Sequence, residues 1–255
     1  MLCIALLALV GLTAAVPAFK HSHGTRLGSS AVDAFKTNDT QIGKQGFLDQ
    51  NLLWTGGIVP YVFSKTFLNE DIERMLVLKA MQGIENATCV RFVQRTNEQN
   101  YLQIFADPFR CYSSYGRQVS SPNGQRIGLS ISNCFPNGSI GITQHELMFA
   151  LGFHNEELRL DRDEYVDINW TNIKAANRDL FQKRPSTAFG EPYDFGSILH
   201  YGMFDFAIDP TVWTIKPKEK YGDRKIGQRE QLSAIDINKI NKMYNCDGSA
   251  PIKVA

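Results

Sequence analysis

His145 and Glu146 open the run His145-Glu146-Leu147-Met148-Phe149-Ala150-Leu151-Gly152-Phe153-His154-Asn155-Glu156, and that pair of side chains is where this chain could carry hydrolytic chemistry. On a helix, two histidines four residues apart share a face and can grip one zinc ion. A glutamate beside the first is then placed to take a proton from metal-bound water. A longer form of the motif adds a helix-ending glycine and a third histidine ten residues after the first, which closes a site of three nitrogens. Here the first histidine, the glutamate and the glycine (Gly152) are present, but Phe149 stands at the second ligand position and Asn155 at the third. An apolar ring offers a dication no donor, and an asparagine amide oxygen suits hard cations better than zinc.

The remaining candidate donors are His145, the Tyr201 phenol and the Asn155 amide oxygen. His154 lies nine residues after His145 rather than ten, and a one-residue shift turns its side chain away, so it reads as a loop histidine. His200 reads as a structural hydrogen-bonding residue. Four-ligand structural zinc sites are worth about 10–16 kcal/mol, so each ligand carries roughly 3 kcal/mol. Losing two weakens binding by about 6 kcal/mol, on the order of ten-thousand-fold. Zinc is therefore expected to be weak or absent. Glu146 cannot act in its place, because a lone carboxylate neither acidifies water nor polarises a scissile carbonyl.

The elements that must position these residues are legible in outline. A helix over 140–151 stops at Gly152, where a left-handed cap is easy. Upstream, order begins near Trp54, and a β-rich run follows at 58–63. Asn69 caps a helix of about 17 residues on which Ile72, Met75, Leu76, Lys79 and Gly83 mark one side. Short strands at 91–93 and 101–105 precede turn-rich segments around 121–124 and 137–138. After Tyr165 regular patterning fades until a last helix, where Ser233 with Asp236 forms a capping-box start and Ile235, Ile240 and Met243 face inward. Strands first, one central helix and then an irregular half indicate an α+β fold with two lobes.

Composition sets the broad class. The chain has 255 residues, 43% of them hydrophobic, and a net charge of +1 from 27 basic and 26 acidic side chains. That is enough for a sizeable core, and with no long run of either sign it points to neither nucleic acid nor an anionic membrane as partner. Residues 1–16 form a short apolar block ending in small residues, which reads as a signal peptide; no later segment is apolar enough to span a bilayer. Residues 17–44 are polar and aperiodic, a pro-segment whose His21 and His23 read as solvated, ending at an exposed-looking Lys44. Cys89, Cys111, Cys134 and Cys246 remain after the leader and read as two disulfides with three possible connectivities. The sequons at Asn38, Asn86, Asn137 and Asn169 fit the same secreted, extracellular destination.

The run from His145 through Glu156, with Arg159, Asp161-Arg162-Asp163 and Tyr165, resembles the extended zinc motif of the astacin family of secreted zinc endopeptidases. Ser197-Ile198-Leu199-His200-Tyr201 resembles its Met-turn, Cys111-Tyr112-Ser113-Ser114-Tyr115-Gly116-Arg117 its cysteine-serine-glycine-arginine segment, and 54–61 the start of its mature domain. The resemblance runs from about 45 to 246. It implies a two-lobed metzincin-like domain with a cleft between lobes, disulfides Cys89–Cys246 and Cys111–Cys134, Glu146 and Tyr201 at catalytic positions, and His145 as the retained zinc histidine. It further implies that Glu156 pairs with a mature N-terminus freed by cutting after Lys44. The departures cluster: Phe149, Asn155, Leu199 in place of the Met-turn methionine, and no clear copy of the family's inhibitory F-x-G-D motif in the pro-segment. The expected domain therefore spans 45–247, with a tail at 248–255. The expected function is an inactive, monomeric pseudoprotease whose cleft holds a peptide or protein, including an active relative or its substrate. The alternative is an active zinc endopeptidase with rearranged ligands.

Overall fold

The computed structural model describes residues 50–67, 71–119, 121, 123–185 and 188–248. The leader, the pro-segment with His21, His23, Asn38 and Lys44, the helix cap at Asn69 and the tail from 249 onward lie outside the described residues.

Five strands form the first sheet: β1 (Ile58–Phe63), β2 (Arg91–Gln94), β3 (Leu102–Ala106), β4 (Tyr112–Ser113) and β5 (Gln125–Leu129), in the order β2-β1-β3-β5-β4. All pairings are parallel except that of β4, which runs antiparallel to β5 at one edge. A parallel sheet buries both faces, and Val59, Leu102, Ile104, Ile127 and Leu129 are accordingly buried. Sequence patterning reaches β1, β2 and β3 to within a residue or two but passes over β5, whose single Gln-Arg-Ile-Gly-Leu run carries polar residues at its entry.

Helix α1 (Asp71–Ala87) opens with Asp71 and Glu73, which complement the positive end of its dipole. Its buried face is Leu76, Val77, Ala80, Met81 and Ile84, whereas Ile72 and Met75 are 66% and 59% exposed. The expected stripe is thus rotated. Apolar residues wrap most of this helix, so periodicity admits two faces, and packing selects the one that lets α1 approach α2 closely. A Cβ at Gly83 would meet the Gln144 amide at 2.6 Å.

Helix α2 (Gly141–Leu151) is the central element. Every residue but Phe149 is buried, including Thr143, Gln144, His145 and Glu146. It ends as expected: Gly152 takes φ 102° and its N–H bonds the carbonyls of Met148 and Phe149. It begins against backbone, since a Cβ at Gly141 would lie 1.9 Å from the Arg229 carbonyl oxygen.

Beyond Gly152 the second lobe is mostly short 3-10 turns plus a two-stranded antiparallel sheet of β6 (Val166–Ile168) and β7 (Ile215–Pro217). Its core is a small cluster of Val166, Ile173, Phe181, Tyr193, Phe195, Tyr201 and Ile215. Helix α3 (Ala234–Met243) has the expected capping box at Ser233 and Asp236, and Ile240 and Met243 face inward as expected, while Ile235 is half-buried. Asp236 and Lys239 share the buried face, which the apolar residues alone do not reveal. Both disulfides implied by the family resemblance are formed, Cys89–Cys246 and Cys111–Cys134. Among the described residues no helix is long and apolar enough to cross a membrane.

Candidate active site

The site lies where the two cores meet. His145, on α2, is fully buried, and its Nδ1 lies 2.7 Å from the Ile198 carbonyl oxygen, which can only accept, so Nδ1 carries the proton. One turn on, the Phe149 ring sits 5.1 Å from the His145 ring, tilted by 60°. Asn155 follows the Gly152 break and donates from Nδ2 to the Leu199 carbonyl at 2.7 Å. The residues at the first and third ligand positions therefore take consecutive carbonyls of one turn, 197–201.

That turn is held from its other side as well. Asp236 accepts from the Ser197 hydroxyl at 2.7 Å and from the Ile198 N–H at 2.9 Å, and Glu157 accepts from the Tyr201 N–H at 3.0 Å. Leu199 is buried in the first core and Tyr201 in the second, where its ring meets Phe181 and Phe206 at centroid distances of 5.2 Å. Burial raises the Tyr201 phenol well above its ordinary value, so it remains a neutral donor. His200 is neutral, its pKa pushed down to about 4 by burial, and it bridges the Tyr193 hydroxyl and the Tyr201 carbonyl, both at 2.8 Å. This is the structural role expected of it.

Two buried carboxyls flank the turn. Burial raises Glu146 to about 8 against the opposing pull of Arg229, and raises Glu157 to about 8 against hydrogen bonds from backbone N–H groups and the same guanidinium. Arg229 donates to the carbonyls of His200 and Gln228.

His154 stacks on Tyr115, with ring centroids 3.9 Å apart and planes 6° apart, and burial lowers its pKa to about 3. It lines a small cavity of about 10 Å³, room for a single water, together with Asn155, Glu156, Leu199 and Lys239; neither His145 nor Glu146 lines it. Glu156 is buried and accepts from Arg159 at 3.0 Å, from the Asp194 N–H at 2.9 Å and from Lys239. The family resemblance assigns this carboxylate to a mature N-terminus. Among the described residues its charge partners are Arg159 and Lys239, and residue 45 lies outside them.

The sequons differ in setting. Asn86 and Asn137 are exposed, at the end of α1 and in a left-handed turn at φ 53°. Asn169 is half-buried, donating to the Trp213 carbonyl at 3.2 Å and accepting from Thr171 at 2.6 Å.

Sequence reasoning missed Glu157, Arg229 and Lys239. For Lys239 a signal existed: Asp236, Lys239, Ile240 and Met243 have the spacing of one helix face, so two charges sit on a stripe that must be buried. Arg229 and Glu157 lie in irregular segments where no periodicity flags them.

The donor set does not match a three-nitrogen zinc site. Position 149 has no donor atom, and the amide nitrogen of residue 155 is directed at a carbonyl that the chain itself supplies.

Comparison with known proteins places the chain. The family profile described as Astacin, a peptidase family, matches residues 47–245. The chain is 38% identical over 189 residues to high choriolytic enzyme 1 of Oryzias latipes, covering 74% of this chain and 66% of that protein. It is also 38% identical over 208 residues to embryonic protein UVS.2 of Xenopus laevis, covering 80% and 39%, and 35% identical over 219 residues to zinc metalloproteinase nas-4 of Caenorhabditis elegans, covering 84% and 66%. The chain thus spans less than two thirds of the length of these curated relatives. Among solved structures, the medaka high choriolytic enzyme 1, a hatching-enzyme zinc-protease, superposes with a TM-score of 0.70 at 35% identity, covering 80% of this chain and all of that one. With the profile match extending across both lobes and the zinc-motif helix at their junction, the chain belongs to the astacin family of peptidases and has its α+β metalloprotease domain.

Proposed function

We propose that this protein is a catalytically inactive astacin: a secreted, disulfide-linked pseudoprotease that keeps the fold and a peptide- or protein-binding cleft while binding zinc weakly or not at all. The observation that carries this reading is the state of the two altered ligand positions. Phe149 fills one with a ring, and the Asn155 amide is hydrogen-bonded to Leu199 in the other. The chemistry of the retained pair agrees. One imidazole and a buried phenol leave a dication underligated, and Glu146 then has no activated water to deprotonate. The rearranged-ligand alternative is not favoured by His154, the spare imidazole of this segment, whose ring is stacked on Tyr115. In this reading 1–16 is the leader, 17–44 the pro-segment and 45–247 the domain, exported as a monomer with glycans on its sequons. The partner is an extracellular peptide or protein, such as an active relative or its substrate.

Zinc quantification on the purified protein, alongside a protease assay on an unfolded protein substrate, tests this. Expected are substoichiometric zinc and no chelator-sensitive cleavage. Phe149→His with Asn155→His serves as the restoring control. Tight stoichiometric zinc in the unaltered protein, or cleavage abolished by Glu146→Gln, would reverse the reading.

A further inference from the structure

A metal held by a helix and by the loop after it cross-ties those elements, and the binding free energy becomes folding free energy. A chain that gives up the ligands gives up the tie. Here both elements are instead fastened to a third, the 197–201 turn. Asn155 donates to the Leu199 carbonyl at 2.7 Å and His145 to the Ile198 carbonyl at 2.7 Å, so two successive carbonyls of the 197–201 turn are fastened to α2 and to the loop behind it. Both donors are buried, at 4% and 0% exposure, where an unpaired carbonyl costs about 1–3 kcal/mol and the geometry is correspondingly enforced. The Ile198 backbone is held on both sides, its N–H by Asp236 and its carbonyl by His145.

Resting on the inactive reading, we infer that Asn155 is a metal-independent latch: its amide ties the loop after α2 to the 197–201 turn, and it fixes the junction of the two lobes without a divalent ion. Asparagine at this position gives up a metal donor and keeps the tie to the turn. The asparagine amide makes this bond as a neutral donor with no ion bound, and an aspartate would turn an acceptor toward the carbonyl instead.

The test is hydrogen–deuterium exchange of the 197–201 amides, with thermal unfolding, on the full glycoprotein before and after EDTA and with added zinc chloride. Expected is no change from either treatment. Asn155→Asp is expected to raise exchange across 197–201 about tenfold, equivalent to about 1.4 kcal/mol of local opening, and to leave β1 and β3 amides unmoved. Faster exchange on EDTA treatment of the unaltered protein overturns the latch, as does an unchanged rate in Asn155→Asp. Should Asn155→Asp fail to fold, Asn155→Ser, a neutral truncation, gives the same reading: faster local exchange supports the latch and an unchanged rate overturns it. Zinc-free, inactive protein with no effect of either variant sinks the latch alone; stoichiometric zinc sinks the functional reading.

Discussion

The two lobes reach comparable order by different physics. The first is a five-stranded sheet under two helices, with a contiguous apolar core that includes Val59, Leu102, Ile104 and Leu147. The second has little regular structure and a core of a few aromatic side chains, and it is laced with buried charge: Glu156 with Arg159 and Lys239, Glu157 beneath Tyr201, and Arg162 donating to the carbonyls of Glu157 and Phe181. Apolar burial is non-directional, so the first lobe can tolerate small shifts in geometry. A buried charged network is satisfied only in one arrangement, so it fixes positions where loops alone would not. The residues at the altered metal positions sit on the boundary between these regimes.

The contrast can be broken most forcefully at Glu156. Glu156→Ala strands Lys239 in the interior and leaves Arg159 with Asp161 as its ion-pair partner, and a loss of about 3–5 kcal/mol is expected in urea unfolding, against about 0–1 kcal/mol for Arg110→Ala, whose side chain is exposed in its pair with Asp107. Phe181→Ala, in the aromatic cluster, is expected to cost about 3–5 kcal/mol, and Leu102→Ala, in the sheet, about 2–5 kcal/mol. Calorimetry sharpens the comparison: a low-temperature transition appearing only in Phe181→Ala would show that the second lobe unfolds by itself, and a single shifted peak in both variants would show one cooperative unit.

A smaller effect is expected with pH. Glu146 and Glu157 rise from 4.5 to about 8 on folding, so the native state binds more protons than the unfolded chain in that window and stability falls as pH climbs through it. His154 and His200 drop from 6.5 to about 3 and about 4, so their contribution rises with pH up to 6.5. The opposing slopes offset one another below pH 6.5, and a net decline is expected between 6.5 and 8. Glu157→Gln should flatten that decline in denaturation at fixed pH steps, and an unchanged slope would remove Glu157 from the account. Smallest of all, Lys218→Ala breaks a pair with Asp167 on the β6–β7 sheet that is one-third exposed, and less than about 1 kcal/mol is expected.

Sequence carried the first lobe further than the second for the same reason. β1 and α2 announce themselves through β-branched runs, caps and Gly152, and their boundaries hold. The α1 stripe misled because Ile72 and Met75 offer a second apolar face, and only the approach of α2 at Gly83 decides between them. In the second lobe nothing periodic marks Glu157 as buried, since its burial follows from a long-range contact with Tyr201. Positions 145, 149 and 155 were legible by spacing, but that the Asn155 amide finds the Leu199 carbonyl was not.

The last two residues of α2, Ala150 and Leu151, have carbonyls without helical partners, and each is capped from far along the chain: by the Trp54 indole N–H at 2.8 Å and by the Tyr244 hydroxyl at 2.8 Å. The two caps are unequally secured. Tyr244 is anchored two residues from Cys246, whose bridge to Cys89 keeps it in place even when local structure loosens. Trp54 has no such covalent backing. Nicking the backbone just downstream of Trp54 would thus slacken the helix that carries His145, while a comparable nick beside Tyr244 would leave its cap tethered, so the damage done by a single cut should be lopsided between the two flanks.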